Sequence, residues 1–247
     1  VFWMSAFLDL PPGSFETGAT FWSRVTGYDV SPRRGERDEF ATLVPGDGDD
    51  FLRVQELEHG PGGIHLDLHV DSPAQEADRA VALGARVQHR SEHGYVVLDS
   101  PGGMTFCFVG HRASHRPAPA VWPGGHRSLV DQVCLDIPPS SYDAECTFWR
   151  DLTGESLHAS SVSTQFQSLT RSAGQPLRLL LQRLDDEQER VTAHLDLAAE
   201  DREAETARHE ELGAVVVGSH TRWTVLTDPV GAAYCITDRD PVTGLLA

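Results

Sequence analysis

The chain repeats itself, and that repetition limits its possible folds more than any other feature. FLDLPPGSFETGATFWSRVTG, from Phe7, lies over CLDIPPSSYDAECTFWRDLTG, from Cys134, at an offset of 127. The Leu-Asp, the Pro-Pro, the Thr-Phe-Trp and the closing Thr-Gly all coincide. Farther on, HLDL at His65 meets HLDL at His194, and Leu83-Gly84-Ala85 meets Leu212-Gly213-Ala214, both at an offset of 129. VVLDSPGGMTFCFV at Val96 overlays TVLTDPVGAAYCIT at Thr224 and sets Cys107 over Cys235 at 128. So small a drift of register across a whole unit is the mark of a tandem domain duplication. The expected division is a first domain over 1–110, a Pro/Gly-rich linker over 111–127, a second domain over 128–240 and a tail over 241–247.

Each copy reads as strand, helix, several strands, then the same series again. Phe7 to Leu10 alternates in polarity and ends at Pro11-Pro12, because proline cannot donate to a strand ladder. A helix is expected from about Ser14, as N-cap, to Gly27 at its C-terminal end. Its apolar stripe is Phe15, Ala19, Trp22 and Val25, repeated as Tyr142, Cys146, Trp149 and Leu152, and such a stripe must face a sheet. A second helix near Pro73 to Leu83 carries Ala74, Ala77, Ala80 and Val81, and its counterpart from about Asp201 carries Ala204, Ala207 and Leu212. In the linker, Trp122 is too apolar to leave in water and is expected to dock on a domain surface, whereas the segment from Asp238 has no counterpart in copy one and could fray.

Side chains on a strand alternate between its faces, which gives the two HLDL segments their interest. Leu66 and Leu68 share one face, and His65, Asp67 and His69 share the other. If the leucines pack under the helices, the His/Asp side lines the opposite, open face of the sheet. Copy two repeats this with Leu195 and Leu197 against His194 and Asp196, and the first strands add Asp9 and Asp136 to the open side. Gln55 and Gln182 end corresponding strands, and Tyr95 and Trp223 follow corresponding turns. These four are candidate ligand contacts at the rim, although strand core is the simpler place for the two aromatics.

Charge and composition narrow the partners. Twenty Lys and Arg against 37 Asp and Glu leave a net charge of −17, a field that repels phosphate backbones. Nucleic acid is therefore not an expected partner. No run approaches the ~18 apolar residues that a membrane span requires, and the first residues lack the basic start of a signal peptide. The expected setting is cytoplasmic, as a monomer or homodimer, with the four cysteines as thiols.

Taken together, the early strand with its Phe-Trp helix, the His-Leu-Asp-Leu strand, the Leu-Gly-Ala and the Asp/Ser-Pro-x-Gly turn resemble the vicinal-oxygen-chelate superfamily. This group includes glyoxalases, bleomycin-resistance proteins and extradiol dioxygenases, and the likeness is to its glyoxalase-like branch, over 5–109 and 132–237. The resemblance implies an α+β fold in which each domain joins two βαβββ modules into a cup-shaped mixed sheet with helices on the outer face. Metal-using members take ligands from the start of the first strand, the start of the fifth, and a glutamate on the last. Those places hold Ser5, His65 and Cys107 in copy one, and Gln132, His194 and Cys235 in copy two. Without the carboxylate, an oxygen-rich site for Mg, Mn or Fe(II) is not expected. No cofactor is expected either, with zinc on Gln132, His194 and Cys235 as the one exception this donor set allows.

Three functions remain open on the sequence. The first is a binding protein that holds a small, basic organic molecule among Asp9, Gln55, His65, Asp67, His69, Tyr95, Asp136, Gln182, His194, Asp196 and Trp223, as resistance members hold antibiotics. The second is a lyase, isomerase or dioxygenase, dependent on metal or on His/Asp acid–base chemistry, with His65, His194, Asp67 and Asp196 as its catalytic candidates. In the third, one copy serves only to complete the other. For His65 and His194 a hydrogen-bonded structural role stands beside ligand contact, and for Cys107 and Cys235 a place in the apolar core is the simplest reading.

Overall fold

A computed structural model describes residues 1–246; Ala247, the end of the expected tail, lies outside the described residues. In copy one the order is β1 (Trp3–Leu10), α1 (Phe15–Thr26), β2 (Asp29–Val30), β3 (Phe40–Val44), β4 (Leu52–Glu56), β5 (Gly63–His69), α2 (Pro73–Ala82), β6 (Arg86–Arg90), β7 (Val96–Asp99) and β8 (Thr105–Val109). A short β9 (Ala120–Val121) precedes copy two. That copy runs β10 (Arg127–Ile137), α3 (Tyr142–Thr153), β11 (Leu157–Ala159), β12 (Phe166–Leu169), β13 (Arg178–Arg183), β14 (Thr192–Ala199), α4 (Arg202–Glu211), β15 (Val215–Ser219), β16 (Trp223–Thr227) and β17 (Ala233–Thr237).

The strands form two sheets of identical order, β2-β3-β4-β1-β5-β8-β7-β6 and β11-β12-β13-β10-β14-β17-β16-β15. Each sequence mirrors itself about its centre, as two βαβββ modules joined at their first strands require. The sheets are mixed: β5 pairs β8 and β14 pairs β17 in parallel, while β6–β7–β8 and β15–β16–β17 are antiparallel. The fold is α+β, with two tandem domains. None of the described helices is long and apolar enough to cross a membrane.

Packing divides the chain along a different line from the repeat. One compact unit comprises Val1–Ala6, Ile64–His115 and Val133–Ala193, and the other Phe7–Gly63, Arg116–Gln132 and His194 onward. Each unit therefore joins the second module of one copy to the first module of the other.

In the first unit, Phe148 and Trp149 of α3 close on Phe106 of β8, with ring centroids 5.8 and 5.4 Å apart. The Trp149 indole donates to Glu145, whose other oxygen accepts the Gly102 amide. In the second unit, Phe21 and Trp22 of α1 close on Tyr234 of β17 at 6.0 and 5.2 Å, and the Trp22 indole donates to Asp228. The two units solve one problem with the acid on opposite partners. Asp228 stands on the turn where the other unit has Ser100, and Glu145 stands on the helix where α1 has Gly18. A side chain at Gly18 would strike Leu10, since an added Cβ would lie 2.6 Å from its Cδ2.

The expected stripes of α1 and α3 are buried throughout, and Gly27 ends α1 in the left-handed region at φ 74°. Phe21 and Phe148, outside those stripes, are buried as well. Ser14 stands at the N-cap of α1, but its hydroxyl donates to the Pro11 carbonyl and not into the helix cap. Of the residues expected to seat α2, Ala77 and Ala80 are buried while Ala74 and Val81 are exposed.

The expectation for α4 needs correction. Ala207 is exposed and Ala204 and Leu212 are half-buried, whereas Glu205 and His209 are fully buried. Polar residues can take the inner face because Glu205 accepts from Ser128, Arg208 and His209 and meets His126, so its charge is matched. Trp122 does dock: its indole donates to Ser128, and the Arg208 guanidinium lies 3.5 Å over its ring. The segment from Asp238 is also tied down. Arg116 donates to the Pro241 and Val242 carbonyls, and Asp240 closes a turn with Gly244 and Leu245.

Candidate functional site

The parallel pairing of β5 with β8 sets Leu66 beside Phe106, Asp67 beside Cys107 and Leu68 beside Phe108. Paired residues share a face, so the leucines and phenylalanines form one apolar layer and Asp67 and Cys107 point to the other side. His65, two residues before Asp67, falls on that same side. The register brings a histidine nitrogen, a carboxylate oxygen and a thiol sulfur all within 4.8 Å of one another. Asp67 and Cys107 are buried and His65 is half-buried. His69 takes the next position on the face, where its Nδ1 lies 2.9 Å from the His111 carbonyl and its Nε2 lies 2.8 Å from Ser5 Oγ. A carbonyl can only accept, so Nδ1 carries the proton and Nε2 accepts from the Ser5 hydroxyl. His69 and Ser5, expected as ligand or metal positions, thus hold each other.

In the second unit the same geometry recurs with Asp196 beside Cys235 on β14 and β17. His194 Nε2 lies 3.6 Å from Cys235 Sγ and 3.4 Å from Asp196 Oδ1. The other oxygen, Oδ2, accepts from the Gln132 amide and faces Arg239 at 3.9 Å. Arg239 is in turn ion-paired with Asp131, and all three charged residues are buried. Burial opposes the charge on Asp196, but the contact with and charge of His194, then Arg239 and the Gln132 amide, outweigh it and hold the carboxyl below its usual range. Oδ1 has no hydrogen-bond partner among the described residues, since its separation from His194 exceeds a well-formed hydrogen bond.

The remaining candidates lie nearer solvent. Asp9, Gln55, Asp136 and Gln182 are half-buried, and the Cys134 thiol donates to Gln182 at 3.5 Å. Tyr95, for which strand core was the simpler expectation, is 38% exposed, and Trp223 is half-buried and stacked on His220 at 4.5 Å. A shallow hollow in the first unit, bordered by Met4, Thr153, Leu169, Arg171 and Gln175 among others, includes none of the expected ligand residues.

Sequence reasoning missed Asp131 and Arg239. Asp131 lay one position from a residue singled out, and Arg239 lay in the segment expected to fray. Cys107 and Cys235, for which the apolar core was the simplest reading and Cys235 also a possible zinc ligand, are both buried, and each lies against a histidine and an aspartate. The signal available for the cysteines was their recurrence at corresponding positions of the repeat.

A metal of the kind the superfamily uses can be tested against these residues. No last-strand carboxylate stands on the site, so a hard, oxygen-rich octahedral centre does not fit. Nitrogen, sulfur and one oxygen do suit zinc, with the His-x-Asp carboxylate supplying the oxygen. Gln132, expected as a ligand, directs its amide to Asp196.

Comparison with known proteins agrees with the architecture. A family model described as "Glyoxalase-like domain" matches twice, over residues 6–109 and 132–237. No curated protein matches the sequence significantly. Among solved structures, a triple mutant of 4-hydroxymandelate synthase from Streptomyces coelicolor is similar, with a TM-score of 0.62 and 14% identity over 94% of this chain and 91% of that one. So is the 2,3-dioxygenase LapB from Pseudomonas sp. KL28, with a TM-score of 0.63 and 14% identity over 94% and 90%. A variant of homoprotocatechuate 2,3-dioxygenase from B. fuscum gives a TM-score of 0.64 and 14% identity over 97% and 72%. At such identity these three show a common fold and nothing finer. With the family model covering most of its length in two matches, the chain belongs to the glyoxalase-like domain family of the vicinal-oxygen-chelate superfamily, as a tandem of two domains.

Proposed function

We propose that this protein binds a small, basic organic molecule on the open sheet face, with the His-x-Asp pair of each copy at the floor of the site. The observation that carries this reading is the repeated burial of a carboxylate beneath a more accessible histidine. Asp67 is 6% and Asp196 3% exposed, while His65 and His194 remain half-buried. A buried carboxylate needs a cationic or hydrogen-bonding partner. In copy two Gln132 donates to one oxygen of Asp196 and Arg239 faces it, which shows the kind of donor this buried carboxylate takes.

Calorimetry against a panel of cationic small molecules, in the presence of a chelator, tests the reading. A binder should emerge whose affinity falls about tenfold in Asp67→Asn, the effect of some 1.4 kcal/mol of lost ion pairing. Asp196→Asn should weaken a ligand held at copy two in the same way. A panel with no binder, or one whose binding ignores both Asp67 and Asp196, contradicts it.

A second reading is a metal-dependent or His/Asp acid–base lyase, isomerase or dioxygenase. It is supported by the 3.4 Å approach of His194 to Asp196 and by the fold shared with the dioxygenases named above. Turnover lost in His194→Ala would favour it over simple binding.

A further inference from the structure

We propose that each copy holds one soft divalent metal ion of the zinc class, on His65, Asp67 and Cys107 in copy one and on His194, Asp196 and Cys235 in copy two. This site uses the same His-x-Asp pairs as the organic ligand proposed above, so metal and organic cation would compete for each carboxylate, and the two are tested apart, one with chelator and one without organic ligand. It differs from the superfamily arrangement projected from the sequence in taking its carboxylate from the His-x-Asp strand and none of its ligands from the first strand.

The geometry of copy two carries the argument. Zinc bonds of about 2.3 Å to sulfur and about 2.0 Å to nitrogen and oxygen, at tetrahedral angles, place sulfur about 3.6 Å from nitrogen and nitrogen about 3.3 Å from oxygen. The Cys235 to His194 and His194 to Asp196 separations are 3.6 and 3.4 Å. Both edges therefore already have the lengths of a zinc tetrahedron, with the fourth corner left to water or a ligand.

The two oxygens of Asp196 divide the work. Oδ2 is held by Gln132 and Arg239, and Oδ1, buried and without a hydrogen-bond partner, faces His194. Outer groups that grip one oxygen of a carboxylate and orient the other are what a ligating aspartate requires. A neutral histidine, a thiolate and a carboxylate would also balance a divalent charge. The recurrence of the trio in copy one, produced by the same parallel register, makes a chance cluster a poor explanation.

The test is metal uptake by the whole chain, stripped with chelator and free of any organic ligand. Mass spectrometry of the zinc-loaded protein should find two equivalents per chain, and cobalt loading should give a thiolate-to-cobalt charge-transfer band. Cys107→Ser and Cys235→Ser should each remove one equivalent and a share of that band while circular dichroism stays native. Gln132→Leu should weaken the copy-two site by about 10–100-fold. Wild-type protein that takes up no zinc overturns the proposal. So does cobalt bound without a thiolate band, or an equivalent that survives loss of its own cysteine. Because no organic molecule is present, such a failure leaves the calorimetric test of the small-molecule reading untouched, and a failed panel leaves this one untouched.

Discussion

Arg239 lies between two buried carboxylates, pairing with Asp131 and facing Asp196 Oδ2. Removing one partner of a buried charge pair leaves the others uncompensated, at a cost of about 3–5 kcal/mol. Arg239→Met in metal-free protein should therefore lower the urea unfolding free energy by that order, and adding Asp131→Asn should restore part of it. A loss no larger than that of an exposed ion pair, about 1 kcal/mol or less, would show that these charges are solvated. Asp196 adds a pH term. Its folded pKa lies below the unfolded value, so its contribution is fully present above about pH 4, the ordinary aspartate range, and is lost as pH falls through the folded value. None of this was legible in the sequence. His65, Asp67, His194 and Asp196 could be found because they repeat, whereas Arg239 follows the last repeated strand and its counterpart in copy one is His111.

Helix α4 shows where element-level reading works and where it stops. The stripes of α1 and α3 were legible because apolar side chains reach their burial by periodicity alone. In α4 the inner positions are Glu205 and His209, and their partners come from Ser128, His126 and Tyr234, distant in sequence and silent in any helical pattern. The charge of Glu205 is opposed by burial but held by Arg208 and His209, well below the usual carboxylate range. For His209, burial outweighs the pull of Glu205, and the ring's pKa is lowered.

A histidine kept neutral in the fold but protonated in the unfolded chain makes stability fall as pH drops from about 6.5, the ordinary histidine value, toward the lowered one. Glu205 acts in the same direction but in a lower window, below about pH 4.3. Unfolding free energies measured from pH 8 to pH 5 should accordingly decline in the native protein and decline less in His209→Gln. Parallel curves for the two proteins would rule out the histidine as the source.

At the scale of the molecule, sequence repeat and packing follow different boundaries. The repeat fixes two copies, each with one complete sheet order, but each compact unit takes one module from each copy. Phe21 and Trp22 of copy one complete a core with Tyr234 and Asp228 of copy two, and Phe148, Trp149 and Glu145 of copy two complete another with Phe106 and Gly102 of copy one. Self-similarity reveals which segments share a fold but not which copies of them pack together, so this exchange was hidden from the sequence.

It has a mechanical consequence. Cutting the chain in the exposed stretch after Gly110 severs the covalent link but leaves both mixed cores requiring both fragments. The nicked protein should elute as one folded species of unchanged size. Either fragment expressed alone should lose its near-ultraviolet aromatic signal, because its tryptophan helix lacks the partner surface, and mixing the two should restore that signal at a 1:1 ratio. Fragments that separate after cleavage as folded monomers, each with a native aromatic spectrum, would show that each copy is self-sufficient and that the exchanged packing is dispensable.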